Sequence, residues 1–210
     1  FSLHCIAERR RQGEADADMT EITRLAEAAG GKAVENSIPK ILRANPFPPV
    51  NSMLGPNGER WVPVHGFLPH SRLIEGWEAV MALYAANQKE MDSLGVEAGA
   101  MLAAVSPQAC LIEPVFFWPD EWNPLHRHAV EPGHLAKLKR FPANAESTAL
   151  VGRLRSAIID TFQSLGSIHL QVARAYPLKT RHAPEGWAML QALKRQVDPK
   201  GLMNPGSLGL

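Results

Sequence analysis

The chain has 210 residues, 45% of them hydrophobic and 20% charged, which excludes a disordered segment and suffices for one domain with a core of its own. Its 22 Lys and Arg against 21 Asp and Glu leave a formal charge of +1, which argues against a nucleic-acid partner. Two cysteines, Cys5 and Cys110, exclude a four-cysteine zinc site and make a reducing, cytoplasmic compartment the expectation, while no uncharged apolar stretch approaches the ~18 residues of a membrane span.

Residues 2–8 alternate, with Leu3, Cys5 and Ala7 on one side, and read as a strand. The strand comes at once and without an initiator Met, as in a segment cut from a longer protein. Asp18 and Glu21 resemble a capping box, and Met19, Ile22, Leu25 and Ala26 form an apolar stripe, so a helix is expected to start there and stop at Gly30-Gly31. Residues 32–34 fit a second short strand. Five prolines between residues 35 and 59 speak against a helix and for a long ordered excursion. Residues 61–68 read as a strand in which Pro63 implies an edge or a bulge. With Ser71 as its cap, an amphipathic helix follows over 72–93, carried by Leu73, Ile74, Trp77, Val80, Met81 and Tyr84. Strands are expected over 101–105 and 109–117, a helix over 145–165, a strand over 167–172, and a last helix from Pro184 to the Asp198-Pro199 stop. Residues 118–144 read as irregular. The order strand, helix, strand, then strand, helix, strand is that of an α+β ferredoxin-like sandwich: an antiparallel sheet with helices on one face, here followed by C-terminal helical structure.

The run Leu193-Lys194-Arg195-Gln196-Val197-Asp198-Pro199-Lys200-Gly201-Leu202-Met203-Asn204-Pro205-Gly206 resembles the closing segment of FAD-linked oxidases of the vanillyl-alcohol oxidase and D-lactate dehydrogenase superfamily. Three weaker features run in that family's order: Pro56-Asn57-Gly58 ahead of residues 61–70, the stretch 105–117, and residues 166–176 ending in Tyr176. The resemblance implies that residues 1–210 form the substrate-binding (cap) domain of a flavoprotein whose FAD-binding domain lies N-terminal to Phe1. It implies a small-molecule substrate, an alcohol of phenolic or hydroxy-acid type, oxidised by hydride transfer to flavin. Two departures qualify it. The His-x-Gly-Asp-Gly-Asn-x-His metal motif of the lactate- and glycolate-type members is absent, and no metal is expected. Where phenol-oxidising members tether FAD through a His or Tyr, this chain has Cys110 and Leu111, so FAD is expected to be non-covalent with respect to this domain, with Cys110 beside it. Tyr176-Pro177 stands where those members carry Tyr-Arg.

Alternation sets Trp61, His65 and Phe67 on one side of their strand and His169 with Gln171 on one side of theirs, so these side chains are expected to converge on the open face of the sheet. His65, His169 and Tyr176 are the candidate bases, since oxidation of an alcohol needs a group to take its proton. Arg174, Gln171, Trp61 and Phe67 are the candidate substrate contacts, with Arg174 a bidentate donor to an anion. Asn204 is a candidate flavin contact by resemblance, and its alternative role is to finish a turn before Pro205. His126, His128 and His134 lack the spacing of a metal site. A second copy or an electron-accepting subunit stays open as a partner. Ferredoxin-like sandwiches host many functions, so a non-catalytic ligand-binding or regulatory module is the alternative.

Overall fold

The structure, a computed structural model, describes residues 2–35, 37–170 and 174–210. It divides into two compact units, Phe1–Pro49 and Val50–Leu210. The first carries helices α1 (Gln12–Ala28) and α2 (Ser37–Ala44). α1 starts at Gln12, not at Asp18, and its N-cap Arg11 makes no side-chain cap. Asp18 instead lies inside the helix and pairs with Arg9 at 2.6 Å. α2 forms where the prolines argued against a helix, because Pro39 falls in its first turn, where a missing N–H costs no helical hydrogen bond. The strands expected over 2–8 and 32–34 do not form. Neither segment has a ladder partner among the described residues, and alternation without pairing does not hold an extended chain.

The second unit contains β1 (Arg60–Pro63), β2 (Gly66–Pro69), α3 (Leu73–Leu94), β3 (Glu97–Ala104), β4 (Ala109–Trp118), the short α4 (Pro124–Ala129) and α5 (Pro132–Leu135), α6 (Ala145–Ser164) and α7 (Pro184–Val197). β1 and β2 pair antiparallel with β4 in one continuous register, from Arg60 opposite Trp118 to Pro69 opposite Ala109. Pro63 is tolerated because, among the described residues, the other side of β1 carries only a single bridge, from Leu54 to Arg60, and leaves Pro63 at an edge. β3 pairs along the opposite side of β4, Glu97 facing Phe117 through Ala104 facing Cys110. Beyond β2, Phe67 and Ile168 exchange backbone hydrogen bonds of 2.9 and 3.1 Å. The spatial order is therefore Ile168, then β1 with β2, then β4, then β3, all antiparallel. This is the α+β fold expected, with the connectivity of a ferredoxin-like sandwich that starts at Arg60 instead of at residue 2.

Of the strand expected over 167–172, only the Ile168 bridge forms; Gln171 and Val172 lie outside the described residues. α3 is entered through a short 3-10 turn over His70–Arg72, so Ser71 is not its cap. α7 spans Pro184–Val197 as expected, with Asp198 after it.

Alternation decides what the sheet buries. Val64 and Leu68 on one edge and Cys110, Ile112 and Phe116 on β4 face α3 and α6 and join Val80, Tyr84, Leu150, Leu154, Ile158 and Phe162 in one core. Two glycines let these layers close. A Cβ on Gly66 would stand 2.6 Å from the Phe162 ring, and one on Gly76 in α3 would stand 2.6 Å from Leu68 Cδ1. The side chains that alternate with this set, Trp61, Pro63 and Phe67 on the edge and Glu113, Val115 and Phe117 on β4, remain half-buried on the other face.

Candidate functional site

His65 belongs to the outward-facing set of its strand, yet only 5% of it is exposed. The chain after α6 covers it. Gly166 ends that helix, the Phe67–Ile168 bridge holds the next residues to the sheet edge, and His169 and Tyr176 then come to lie on His65. The His169 and Tyr176 rings are stacked, 4.1 Å between centroids and 18° between planes, and the His65 ring lies 4.7 Å from that of Tyr176. His65 and the pair His169 and Tyr176, 104 residues and more further along the chain, thus form one cluster.

Hydrogen bonds fix the protons within it. The Leu170 backbone N–H donates to His65 Nε2 at 2.8 Å, so that nitrogen carries the lone pair of the neutral ring. The proton then sits on Nδ1, which donates to the Tyr176 hydroxyl oxygen at 3.0 Å. The backbone N–H of His65 donates to the same oxygen at 2.9 Å. With both lone pairs of that oxygen engaged, its own O–H is what Tyr176 presents to a ligand. His169 Nδ1 donates to the His65 carbonyl at 2.7 Å, which leaves the lone pair on His169 Nε2, a buried atom without a hydrogen-bond partner. Burial is the main cause holding both imidazoles below the usual histidine range, with their mutual repulsion adding to it for His65. Burial also pushes the Tyr176 phenol up, against the His65 backbone N–H and the Arg155 charge, which favour its ionised form.

Beside this cluster lies a pocket of about 490 Å³ lined by Val62, Pro63, His65, Arg155, Arg174, Ala175, Tyr176, Asn204 and Ser207. Its sheet residues are Val62, Pro63 and His65, and Glu113, Val115 and Phe117 of the open face do not line it. Arg174 lines it and donates to the Pro205 carbonyl. Trp61 does not line it but belongs to an adjoining pocket with Trp118 and His126, and Phe67 packs edge-on against His65 at 6.2 Å behind it. Gln171 lies outside the described residues. Cys110 is a correction. It sits at 2% exposure on the core side of β4, its thiol donating to the Leu68 carbonyl at 3.4 Å, and it does not line this pocket. Burial raises the pKa of that thiol. Arg155 is the residue that sequence reading missed. It lies one position past Leu154 of the α6 core stripe, where an arginine reads as an ordinary helix-surface charge.

Asn204 reaches the pocket through the turn after α7. Asp198 accepts the Leu202 and Met203 N–H groups, both at 2.9 Å, and the Lys194 ammonium at 2.5 Å, while Lys194 also donates to the Met203 carbonyl. The Lys194 hydrogen bond, with those backbone donors, holds the Asp198 carboxyl below the usual range. The turn delivers Asn204 in the left-handed region at φ 46°, a conformation asparagine tolerates better than most residues. Its spacing from Asp198 therefore has a physical basis: one carboxylate ties down the four residues ahead of it.

Residues 172–208, which carry Arg174, Tyr176, Asp198 and Asn204, match the family described as "FAD linked oxidases, C-terminal domain". Over these residues the chain is similar to the C-terminal domain of FAD-linked oxidases. No curated protein matches the chain. Among solved structures, one titled alkyldihydroxyacetonephosphate synthase aligns with a TM-score of 0.47 and 12% identity, over 92% of this chain and 29% of that one. The chain thus spans less than a third of the length of that solved chain. Among the described residues, no helix is long and apolar enough to cross a membrane, and no three His, Cys, Asp or Glu side chains are grouped to hold a metal. His126 caps α4: its Nδ1 accepts the Asn123 N–H at 3.2 Å, and Asn123 Oδ1 accepts the His126 N–H at 3.0 Å.

Proposed function

We propose that this chain is the substrate-binding domain of an FAD-dependent oxidoreductase that oxidises a small alcohol, of phenolic or hydroxy-acid type, and that an FAD-binding domain precedes it. FAD, when bound, supplies the acceptor for the hydride that leaves the substrate carbon. One observation carries the reading: a tyrosine whose oxygen is held by two donors from His65 turns its O–H into a pocket formed partly by the FAD-linked oxidase segment.

The residues present fit a flavin on one side of this pocket. The Asn204 amide makes no hydrogen bond among the described residues and lines the pocket with Tyr176, so it is available to a cofactor edge. On the substrate side, the Tyr176 O–H donates to the hydroxyl oxygen of the bound alcohol. With the Tyr176 phenol ionised, its oxygen would take the proton of that hydroxyl as the hydride leaves the substrate carbon, so both the proton and the hydride have a destination. His65 stabilises negative charge on the Tyr176 oxygen through its two donors, and His169 stacks on the Tyr176 ring and fixes its position. Trp61 and Phe67 bound the neighbourhood but not the pocket, so their part is packing.

The test is the complete gene product. Purified natively, it carries flavin absorbance, and denaturation releases that flavin free in solution, because this domain offers no tether. Absence of flavin would favour the non-catalytic module. Flavin retained on a peptide from this chain would overturn the non-covalent assignment.

A further inference from the structure

Next to the Tyr176 pocket lies a second one, of about 360 Å³, that the function proposed above does not use. Its walls are largely apolar, formed by Met53, Trp61, Val62, Leu125 and Val151. Three arginines, Arg60, Arg155 and Arg181, have a buried Nε without a partner, and the first two line this pocket. Leaving a buried guanidinium donor unsatisfied costs free energy unless a ligand completes it. Among the described residues no acidic side chain lines the pocket, and Asp120, which pairs with Arg60 at 2.8 Å, offsets only one of the two charges.

The polar side-chain groups left without a bond in this lining are donors. Asn123 Oδ1 already accepts the His126 N–H at 3.0 Å, and Thr148 Oγ1 accepts the Trp118 indole N–H at 2.8 Å while donating to Asp120 at 2.5 Å. His126 Nδ1 accepts the Asn123 N–H, so its Nε2 carries the proton of the neutral ring, and burial with the Arg60 and Arg127 charges keeps that ring neutral. Neither His126 Nε2 nor the Trp61 indole N–H makes a hydrogen bond among the described residues. Arg60 is held in place, its guanidinium 5.0 Å from the centre of the Trp118 ring and one nitrogen on Asp120. Donors with a surplus positive charge are complementary to an anion that accepts hydrogen bonds and donates none. The Trp61 ring and the Met53 thioether are complementary to a flat ring attached to that anion.

We propose that this second pocket binds an aromatic carboxylate, with its oxygens on the Arg60 and His126 donors and its ring against Trp61. A carboxylate supplies acceptors only, and its bond to a guanidinium is charge-assisted. The pocket shares Val62 and Arg155 with that of Tyr176, so its ligand is a neighbour of the molecule bound there and a separate one. The inference needs neither flavin nor oxidation.

Calorimetric titration of the complete protein with benzoate at low ionic strength tests it, with benzamide as the uncharged counterpart and acetate as the one without a ring. Benzoate is expected to bind saturably, and benzamide and acetate each about tenfold or more weakly, for loss of the charge-assisted bonds or of the ring contact. Leu125 is 58% exposed in the second position of its helix, where an acidic residue is compatible with folding, so Leu125→Asp sets a negative charge at the pocket without disturbing the core. It is expected to weaken benzoate about tenfold and leave benzamide unchanged. Trp61→Leu should weaken both aromatic ligands, and Tyr176→Phe should leave benzoate binding as in the parent. Should Trp61→Leu fail to fold, as read by its thermal transition, Leu125→Asp decides. Three results would overturn the proposal: no saturable benzoate binding, benzamide as tight as benzoate, or benzoate binding unaltered in Leu125→Asp. Benzoate binding abolished by Tyr176→Phe would place the acid in the other pocket and overturn it as well. The expected pattern in a protein without flavin would defeat the proposed oxidoreductase and leave this inference standing.

Discussion

The Tyr176 oxygen accepts from both the backbone and the ring of one residue, His65, so the tyrosine's geometry and its acidity are set together. Tyr176→Phe keeps the packed ring and removes the hydroxyl that the proposed function makes the proton-transfer group. It is expected to lower kcat/KM by about 10²–10⁴-fold, as for loss of a positioned acid–base group, with the thermal transition little changed. His65→Gln removes the ring donor, so the phenol should become harder to ionise. A limb of the pH–rate profile that belongs to Tyr176 should then move to higher pH, and an unmoved limb would dissociate His65 from Tyr176. The histidines also make stability depend on pH. Burial lowers the pKa of His65 and His169 in the folded state, so the folded protein favours the neutral forms more than the unfolded chain does. Their contribution is fully present above the unfolded histidine value of ~6.5 and is lost as pH falls through the lower folded values. Urea midpoints measured across that range should decline toward acid, and His169→Gln should flatten the decline. Sequence alternation placed His65 and the ring packing at its side, and resemblance pointed to Tyr176. Nothing local could show that the three candidate bases touch, because the chain between residues 65 and 169 has to fold first. Arg155 was illegible for a different reason: that it lines the pocket is a property of the packed state alone.

At the level of elements, the two close contacts that join sheet to helices rest on glycine. Gly66→Ala would drive a methyl into the fully buried Phe162 ring and is expected to destabilise the protein by about 1–3 kcal/mol, read from denaturant unfolding. The Asp198 turn is a different kind of device, since it positions Asn204 and adds little to the core. Asp198→Ala frees two backbone N–H groups and Lys194, so proteases should cut within residues 199–205 sooner than in the parent, with the sites read by mass spectrometry. Because the Asp198 carboxyl titrates below the ordinary range, protection should persist above the usual carboxylate pKa and fade only as pH falls through the lower folded value. The long helices α3, α6 and α7 were legible from apolar stripes because a stripe needs one buried face and nothing else. Strands were less so. Residues 2–8 alternate as well as residues 61–68 do, but only the latter meet β4, and pairing is a non-local fact. The proline count failed at α2 because position within the helix matters more than number: Pro39 falls in the first turn.

For the molecule as a whole, α3 and α6 cover one face of the antiparallel sheet, and the pocket forms where the segment after α6 meets Val62, Pro63 and His65. The site therefore depends on contacts between residues 62–65, 155, 174–176 and 204–207, and the FAD-linked oxidase segment supplies the last two groups. Helix-and-strand order made the α+β sandwich readable before any contact was known, while of the described residues expected on the open sheet face only His65 lines the pocket, where the chain returning at Ile168 covers it. The most direct measurement is anaerobic mixing of the purified complete protein with a 2-hydroxy acid while flavin absorbance is followed. The account predicts that the absorbance bleaches, and that Tyr176→Phe slows the bleaching while retaining the flavin. A protein without flavin, or bleaching at the parent rate in Tyr176→Phe, would contradict it.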